Sequence, residues 1–217
     1  MKIPALGFAL ALTFASAANA ANISTLDQWD GTIDSSVSPF GTPDTATYGQ
    51  TISIGDVAQV LQSFTFNLTA LDAAFTVEVG TWTGSRVGEI VYQSDPFSFS
   101  AQSEFTAITA SPDITLNANS QYVLYFTTSG IQNNQESTNA WGLTADSAYT
   151  GGTFVYLNNG NDRSRLTGSP WVTTLGGDLA FSANLAAVPE PATYGMLLAG
   201  LGLIGIAARR RKVVYAA

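Results

Sequence analysis

Apolar and polar residues alternate with a period of two in the middle of this 217-residue chain. Between residues 63 and 68, Phe and Leu alternate with Ser, Thr and Asn, and residues 75–80 repeat the pattern. Because successive side chains of a β-strand point to opposite faces, this alternation predicts strands that bury one face. No 12-residue stretch in the middle shows the apolar stripe of an amphipathic helix. The middle of the chain is therefore restricted to an all-β fold.

About ten short strands are predicted, separated by segments rich in Gly, Pro, Asn, Asp and Ser, as antiparallel turns require. They cover residues 46–54, 63–68, 75–80, 89–93, 97–101, 105–110, 121–127, 140–144, 153–157 and 179–185. Large side chains on both faces of residues 121–127 indicate a central strand that is covered on both sides. We predict an antiparallel β-sandwich over residues 21–187, with a jelly roll as the favoured form. Residues 24–38 are predicted to be an irregular lead-in and residues 186–191 a linker.

Cysteine and histidine are absent, and only 11% of the residues are charged. The chain therefore has no disulfide, no thiolate nucleophile, no imidazole base and none of the usual nitrogen or sulfur ligands of zinc. Residues 21–188 contain three basic and 15 acidic residues, a formal charge of −12. This charge argues against a nucleic-acid partner, because phosphate binding needs clustered Lys and Arg.

The N-terminal 20 residues have the three parts of a secretory signal peptide. Lys2 supplies a positive start, an apolar run follows to residue 15, and Ala18 and Ala20 are the small residues that a signal peptidase reads. We predict cleavage between Ala20 and Ala21, so that residues 1–20 are absent from the mature protein. The alternative is an ordinary hydrophobic N-terminal helix.

The C-terminal segment, residues 188–217, contains a Pro-Glu-Pro motif, an apolar run and a basic cluster in that order. Two prolines around Glu190 disfavour helix and sheet, which predicts an extended segment that a processing enzyme can bind. Residues 192–208 would form a helix of about 25 Å, slightly shorter than a hydrocarbon core of about 30 Å. We therefore predict a transmembrane helix here, with the basic cluster on the cytoplasmic side. The motif is Pro189, Glu190 and Pro191, and the cluster is Arg209, Arg210, Arg211 and Lys212.

These three parts resemble the PEP-CTERM family of sorting signals, whose members are recognised by an exosortase. The resemblance covers residues 188–212, and residues 213–217 extend beyond the basic cluster, where such tails often end. It implies a Gram-negative bacterium that makes extracellular polysaccharide, a membrane-inserted intermediate, and processing near the motif. A plain C-terminal membrane anchor is the alternative, and it leaves the Pro-Glu-Pro motif unexplained.

A weaker resemblance concerns the middle of the chain, which is similar to an exported β-sandwich module often found ahead of PEP-CTERM tails. The segments that carry it are residues 48–52, 82–94, 122–125, 148–152 and 178–181. This resemblance supports the predicted fold and implies no reaction.

Four tryptophans, Trp29, Trp82, Trp141 and Trp171, are candidates either for the core or for a platform on which sugar rings stack. Burial in the core is favoured for any single Trp of a sandwich this size. Trp82 and Trp171 are the better candidates for ligand stacking, because flanking Gly, Ser, Thr or Pro residues indicate strand ends.

Residues 158–162 (Asn-Asn-Gly-Asn-Asp) offer several side-chain oxygens, which could bind Ca²⁺ or form a turn. A turn is favoured, because Asn-Gly suits hairpin geometry and no complete calcium-binding pattern is present. We therefore assign no metal and no cofactor. Catalytic residues are not assigned either, because the acidic residues lie in no recognisable catalytic context and nothing is present to activate a Ser or Thr.

The sequence predicts a non-enzymatic component of the cell surface or extracellular matrix, exported and then sorted through its tail. The predicted partners are an exosortase and the membrane that the C-terminal helix spans. The alternative is a carbohydrate-binding module that associates with extracellular polysaccharide. Two or more exposed aromatic rings on a groove or flat face would favour sugar binding, whereas burial of all four Trp would favour a structural role.

Overall fold

The computed structural model describes residues 21–99, 104–188, 195 and 199–204. The β-strands lie within one compact unit, Asn19–Val188. The predicted signal peptide, the sorting motif Pro189 to Pro191 and the basic cluster 209–212 lie outside the described residues. The described residues therefore test none of these three predictions.

Residues 21–188, apart from the gap at 100–103, contain thirteen strands, a single-turn 3₁₀ helix at Leu26–Gln28 and one short α-helix, α1 (Arg165–Gly168). The strands are β1 (Ala21–Ser24), β2 (Ser36–Phe40), β3 (Thr47–Ser53), β4 (Gln59–Leu68), β5 (Leu71–Trp82), β6 (Val87–Gln93), β7 (Phe97–Phe99), β8 (Thr106–Ala110), β9 (Ile114–Leu116), β10 (Gln121–Thr127), β11 (Asn139–Gly142), β12 (Phe154–Leu157) and β13 (Phe181–Ala187).

The strands form two antiparallel sheets. The first sheet has the order β1-β13-β4-β11-β2, and β8 and β9 also pair with β4. The second sheet has the order β12-β3-β10-β5-β6, and β7 pairs with β5. Most neighbours are far apart in sequence, so the pairing is mainly long-range.

An aromatic core joins the two sheets. Phe126 of β10 in the second sheet packs against Phe66 of β4 and Trp141 of β11 in the first, with ring centroids 5.2 Å apart in both pairs. Phe126 also stacks on Phe75 of β5 at 5.1 Å. All four side chains are fully buried. Because apolar side chains from both sheets share one core, the arrangement is sandwich-like.

A second apolar cluster lies on the outer face of the second sheet. This outer cluster consists of Val87, Val123, Tyr125, Val155, Leu157, Leu166 and Trp171. Leu166 comes from α1, so the chain that follows β12 folds back over the sheet. Six of the seven residues of β10 are buried as a result, which confirms the prediction of a central strand covered on both faces.

The all-β prediction is confirmed, whereas the jelly-roll form is not. Three short strands were missed: β1, β9, and β2, which begins inside the segment that was predicted to be an irregular lead-in. The predicted linker, residues 186–191, starts later than expected, because β13 continues to Ala187.

The described part of the C-terminal segment is helical at residues 199–204, and it exposes Leu201, Leu203 and Ile204 by 57%, 65% and 68%. Within the described ranges, no helix combines the length and the apolar character needed to cross a bilayer. Most of the predicted span 192–208 lies outside those ranges.

Candidate ligand-binding surface

Three strands of the second sheet end close together, because their register aligns the end of β5, the start of β10 and the end of β3. Gln121 pairs with Ser53, and the next residue, Tyr122, pairs with Thr81. The hairpin between β5 and β6 closes through a hydrogen bond from the Thr83 amide to the Arg86 carbonyl at 3.0 Å. This end of the sheet carries Trp82, and we call it the Trp82 surface.

Trp82 is partly buried on the outer face of the second sheet, beside the outer cluster. Its ring meets the ring of Trp171 edge to face, with centroids 5.9 Å apart and planes at 80°. The prediction that Trp82 lies at a strand end is confirmed, since it is the last residue of β5. Its role in ligand stacking stays a prediction.

Trp171 is only 4% exposed, which argues against its predicted role in ligand stacking. It packs against Tyr125 with ring centroids 5.2 Å apart. Its indole N–H donates a hydrogen bond to the carbonyl oxygen of Leu166 at 2.9 Å. These contacts hold Trp171 beneath Trp82, so Trp171 positions the partly exposed ring and offers no free face of its own.

Two grooves flank Trp82. The first has a volume of about 510 Å³ and the second of about 370 Å³, both within the size range of small-molecule sites, roughly 300–1,000 Å³. Trp82, Gly84 and Gln121 line both grooves, so the two lie side by side at the indole. The first groove is completed by residues 81, 83, 117, 119, 120 and 122, and the second by residues 51, 53, 150–153 and 173.

Neither groove is lined by a charged residue. The lining consists of hydroxyl, amide, glycine and aromatic residues, although the surrounding residues 21–188 are strongly acidic. Arg86 closes the neighbouring hairpin but does not line either groove.

Several exposed side chains of the Trp82 surface make no hydrogen bond to the described part of the chain. In the first groove these are Asn117 and Asn119, and in the second Thr150 and Thr173. Other lining groups are engaged: the Gln121 amide donates to the Ser53 hydroxyl at 3.1 Å. The free amides and hydroxyls can therefore donate to, and accept from, a bound molecule.

The other two tryptophans do not add a second exposed ring to this surface. Trp141 is fully buried in the aromatic core. Trp29 is partly buried, donates from its indole N–H to the Ser35 carbonyl at 2.8 Å, and packs edge to face against Phe105. The structure therefore has neither two exposed rings on one groove nor four buried tryptophans.

The Asn-rich segment 158–162 forms a turn, as the sequence predicts. Its oxygens accept hydrogen bonds from protein groups: Asn158 from the Thr45 hydroxyl, Asn159 from the Thr47 hydroxyl and Asn161 from the Gly130 amide. Gly160 has φ +49°, which the turn requires. Across the described residues, no group of three or more acidic side chains is close enough together to hold a metal ion.

Two carboxylates, Glu78 and Asp178, are buried in the described part of the chain and line neither groove. Glu78 pairs with Arg163 at 2.7 Å and accepts hydrogen bonds from the hydroxyls of Thr76 and Tyr125, both at 2.7 Å. Burial raises the pKa of the Tyr125 hydroxyl, and the neighbouring Glu78 charge raises that pKa further. This hydroxyl therefore stays protonated as a donor to Glu78.

Asp178 is the second buried carboxylate, and it joins β3 to the segment before β13. It accepts hydrogen bonds from the Gln50 amide at 2.6 Å and from the backbone N–H of Tyr149 at 2.8 Å. Burial raises the pKa of Asp178, and these two hydrogen bonds oppose that shift. Both carboxylates are held by protein groups and cross-link segments that are distant in sequence.

Comparison with known proteins identifies the tail. Residues 187–212 match the family model described as the PEP-CTERM protein-sorting motif. The chain carries a PEP-CTERM sorting motif. Such a motif implies export and exosortase-dependent, membrane-associated sorting in a Gram-negative bacterium. The match covers 26 of the 217 residues, so it concerns the tail and not the two sheets.

No curated protein shows significant similarity to the chain. Among solved structures, it is similar to a chain described as "Structure of infectious bursal disease virus Gx strain". The identity is 14% over 89% of this chain and 46% of the viral chain, with a TM-score of 0.32. The chain thus spans less than half the length of that viral chain.

Sequence reasoning identified Trp82 but missed the polar residues around it. Asn117 and Asn119 lie in an ordinary turn before β10, and Thr173 lies in the segment after Trp171. Their only sequence signal is polarity near a strand end, and many residues of this chain share it. Strand register and the folded-back segment bring them together.

Proposed function

We propose that this protein is a non-enzymatic component of the cell surface or extracellular matrix. Its PEP-CTERM motif directs an exported β domain to the envelope, through a membrane-inserted intermediate that an exosortase processes. The observation that carries the proposal is the match over residues 187–212, which begins where β13 ends at Ala187. A folded domain of 13 paired strands therefore immediately precedes the sorting signal in sequence.

The test is performed on the full-length protein in a Gram-negative host that has an exosortase. Replacing Pro189, Glu190 and Pro191 with Ala should abolish processing near the motif, so the protein should stay in the inner membrane with its C-terminus intact. Fractionation and mass spectrometry of the C-terminus measure this. The matched control replaces the exposed pair Asp95 and Pro96 with Ala, which should leave processing unchanged.

A strain that lacks the exosortase should reproduce the phenotype of the motif variant. If the native protein in its normal host still carries residues 209–212 after reaching the cell surface, the proteolytic step is refuted. If the motif variant is processed and located like the native protein, exosortase recognition through Pro-Glu-Pro is refuted.

The Trp82 surface supports a second candidate function, carbohydrate binding within the same matrix, through one partly exposed ring instead of the two or more exposed rings that the sequence-based criterion requires. A partly exposed indole lies between two polar grooves, as expected where an apolar sugar face stacks and its hydroxyls bond at the sides. A glycan array probed with the full-length protein in detergent tests this function. Binding to no glycan would leave the structural role as the function of the domain.

A further inference from the structure

We infer that the Trp82 surface binds a chain of neutral sugars that crosses Trp82 and occupies both grooves. This inference rests on the carbohydrate-binding candidate above, and it specifies both the class of glycan and the residues that select it. Three features carry it: the absence of charge in the lining, the lining residues that the two grooves share, and the free polar side chains on both sides of the indole.

The uncharged lining selects against anionic polysaccharides. A uronate or sulfate group would need Lys or Arg as a partner, and neither groove is lined by one. The acidic surroundings, with a formal charge of −12 over residues 21–188, also repel anions at long range. A neutral sugar avoids both penalties, because its hydroxyls need only the amides and hydroxyls that are present.

The position of the two grooves, side by side at Trp82, favours a polymer over a single sugar. Trp82, Gly84 and Gln121 belong to both grooves, so a chain can pass from one to the other across the indole. Gly84 has φ +91° and no heavy atom within 4 Å of an added Cβ, so the hairpin turns away and leaves this crossing open. Trp171 supports the indole from the protein side.

The free side chains supply hydrogen bonds on both sides of Trp82. Asn117 in the first groove and Thr173 in the second are exposed, and their side chains make no hydrogen bond to the described residues. Replacing either one therefore removes no side-chain hydrogen bond within the described part of the chain. This makes them suitable for separating ligand binding from folding.

The experiment measures binding of the full-length protein in detergent to a neutral hexose polymer and to a uronate-containing polymer by titration calorimetry. The native protein should bind the neutral polymer more tightly. Trp82→Ala should weaken that binding about tenfold, because it removes the stacking ring and its buried area. Trp82→Phe keeps an aromatic face and should retain affinity to within about threefold.

Asn117→Ala and Thr173→Val should each weaken binding about threefold, the effect of one lost hydrogen bond. Their matched control is Thr115→Val on β9, an exposed threonine outside both grooves, which should bind like the native protein. Thermal unfolding of every variant checks the fold. If Trp82→Ala unfolds, Trp82→Phe and the two groove variants decide the outcome.

The possible results separate this inference from the function on which it rests. Binding to glycans that is unaffected by the Trp82 and groove variants would overturn the site and leave the carbohydrate function standing. Tighter binding of the uronate-containing polymer than of the neutral polymer would overturn the proposal that the ligand is a neutral glycan. Loss of affinity in only one of the two groove variants would show that the glycan occupies a single groove. That result would overturn the proposal that the glycan chain crosses Trp82. Absence of all glycan binding would overturn the inference and the carbohydrate-binding candidate together.

Discussion

Glu78 is a fully buried carboxylate in the middle of the second sheet, and three groups stabilise its charge. Thr76 and Tyr125 donate hydrogen bonds from neighbouring positions in the sheet, whereas Arg163 reaches it from the segment that folds back after β12. Arg163 also donates to the Gln93 side chain at 2.9 Å. Arg163 therefore both neutralises the Glu78 carboxylate and holds the segment after β12 against the second sheet.

Arg163→Ala should destabilise the domain by about 3 kcal/mol, because it leaves Glu78 buried without its opposite charge. We use the lower end of the range for broken buried pairs, since the Arg163 side chain is 30% exposed. The free energy of unfolding in urea measures the change. Arg86→Ala, which removes the same charge from an exposed hairpin residue, should change stability by no more than about 0.5 kcal/mol.

Adding Glu78→Gln to Arg163→Ala should recover part of the loss, because the neutral amide no longer needs a counter-charge. Equal stability of Arg163→Ala and the native protein would show that water reaches Glu78 and that the pair contributes little. A double variant less stable than the single one would show that packing, and not charge, sets the cost.

At the scale of elements, sequence periodicity located the long strands, although it predicted only residues 63–68 of β4 (Gln59–Leu68) and residues 75–80 of β5 (Leu71–Trp82). β10 was predicted at its observed bounds, Gln121–Thr127, because its large residues alternate on two covered faces. The missed strands lack such a signal: β9 has three residues, β1 has four, and β2 contains Pro39, which normally argues against a strand. Their pairing with longer strands stabilises them, and single-sequence patterns do not report pairing.

The candidate surface was only partly predictable for a related reason. The Gly and Pro residues that flank Trp171 predicted a strand end, but Trp171 lies outside the strands, in the chain after α1, which folds over the outer face and buries the ring against Tyr125. Burial of an aromatic residue outside a regular strand depends on tertiary contacts, which local sequence does not encode. The same contacts gather the groove residues from three strand ends.

At the scale of the whole molecule, the residues that form the fold and the residues that form the sorting signal occupy different parts of the sequence. Residues 21–188 carry the strand pairings, both apolar clusters and most of the acidic residues. The PEP-CTERM match over residues 187–212 carries four of the eight basic residues and the apolar run. This division agrees with a folded domain and a sorting signal that perform separate tasks.

A protein consisting of residues 21–188 should therefore fold without either end. All the strand pairs described, the Glu78–Arg163 ion pair and the Asp178 hydrogen bonds lie inside this range. We expect one cooperative thermal transition, with a midpoint within about 3 °C of the full-length protein in the same detergent, since a change of 1 kcal/mol shifts the midpoint by about 2–4 °C at this size.

Differential scanning calorimetry of both proteins measures this midpoint. The control starts at residue 25 and so lacks β1, which exposes the edge of β13 and removes the partly buried Ile23 that packs against the main core. That control should unfold at a lower temperature, because it loses both the strand pairing and the apolar contact. If the 21–188 protein itself fails to fold while the full-length chain unfolds cooperatively, the tail contributes to the stability of the domain. The view that the folded domain and the sorting signal act separately would then be wrong.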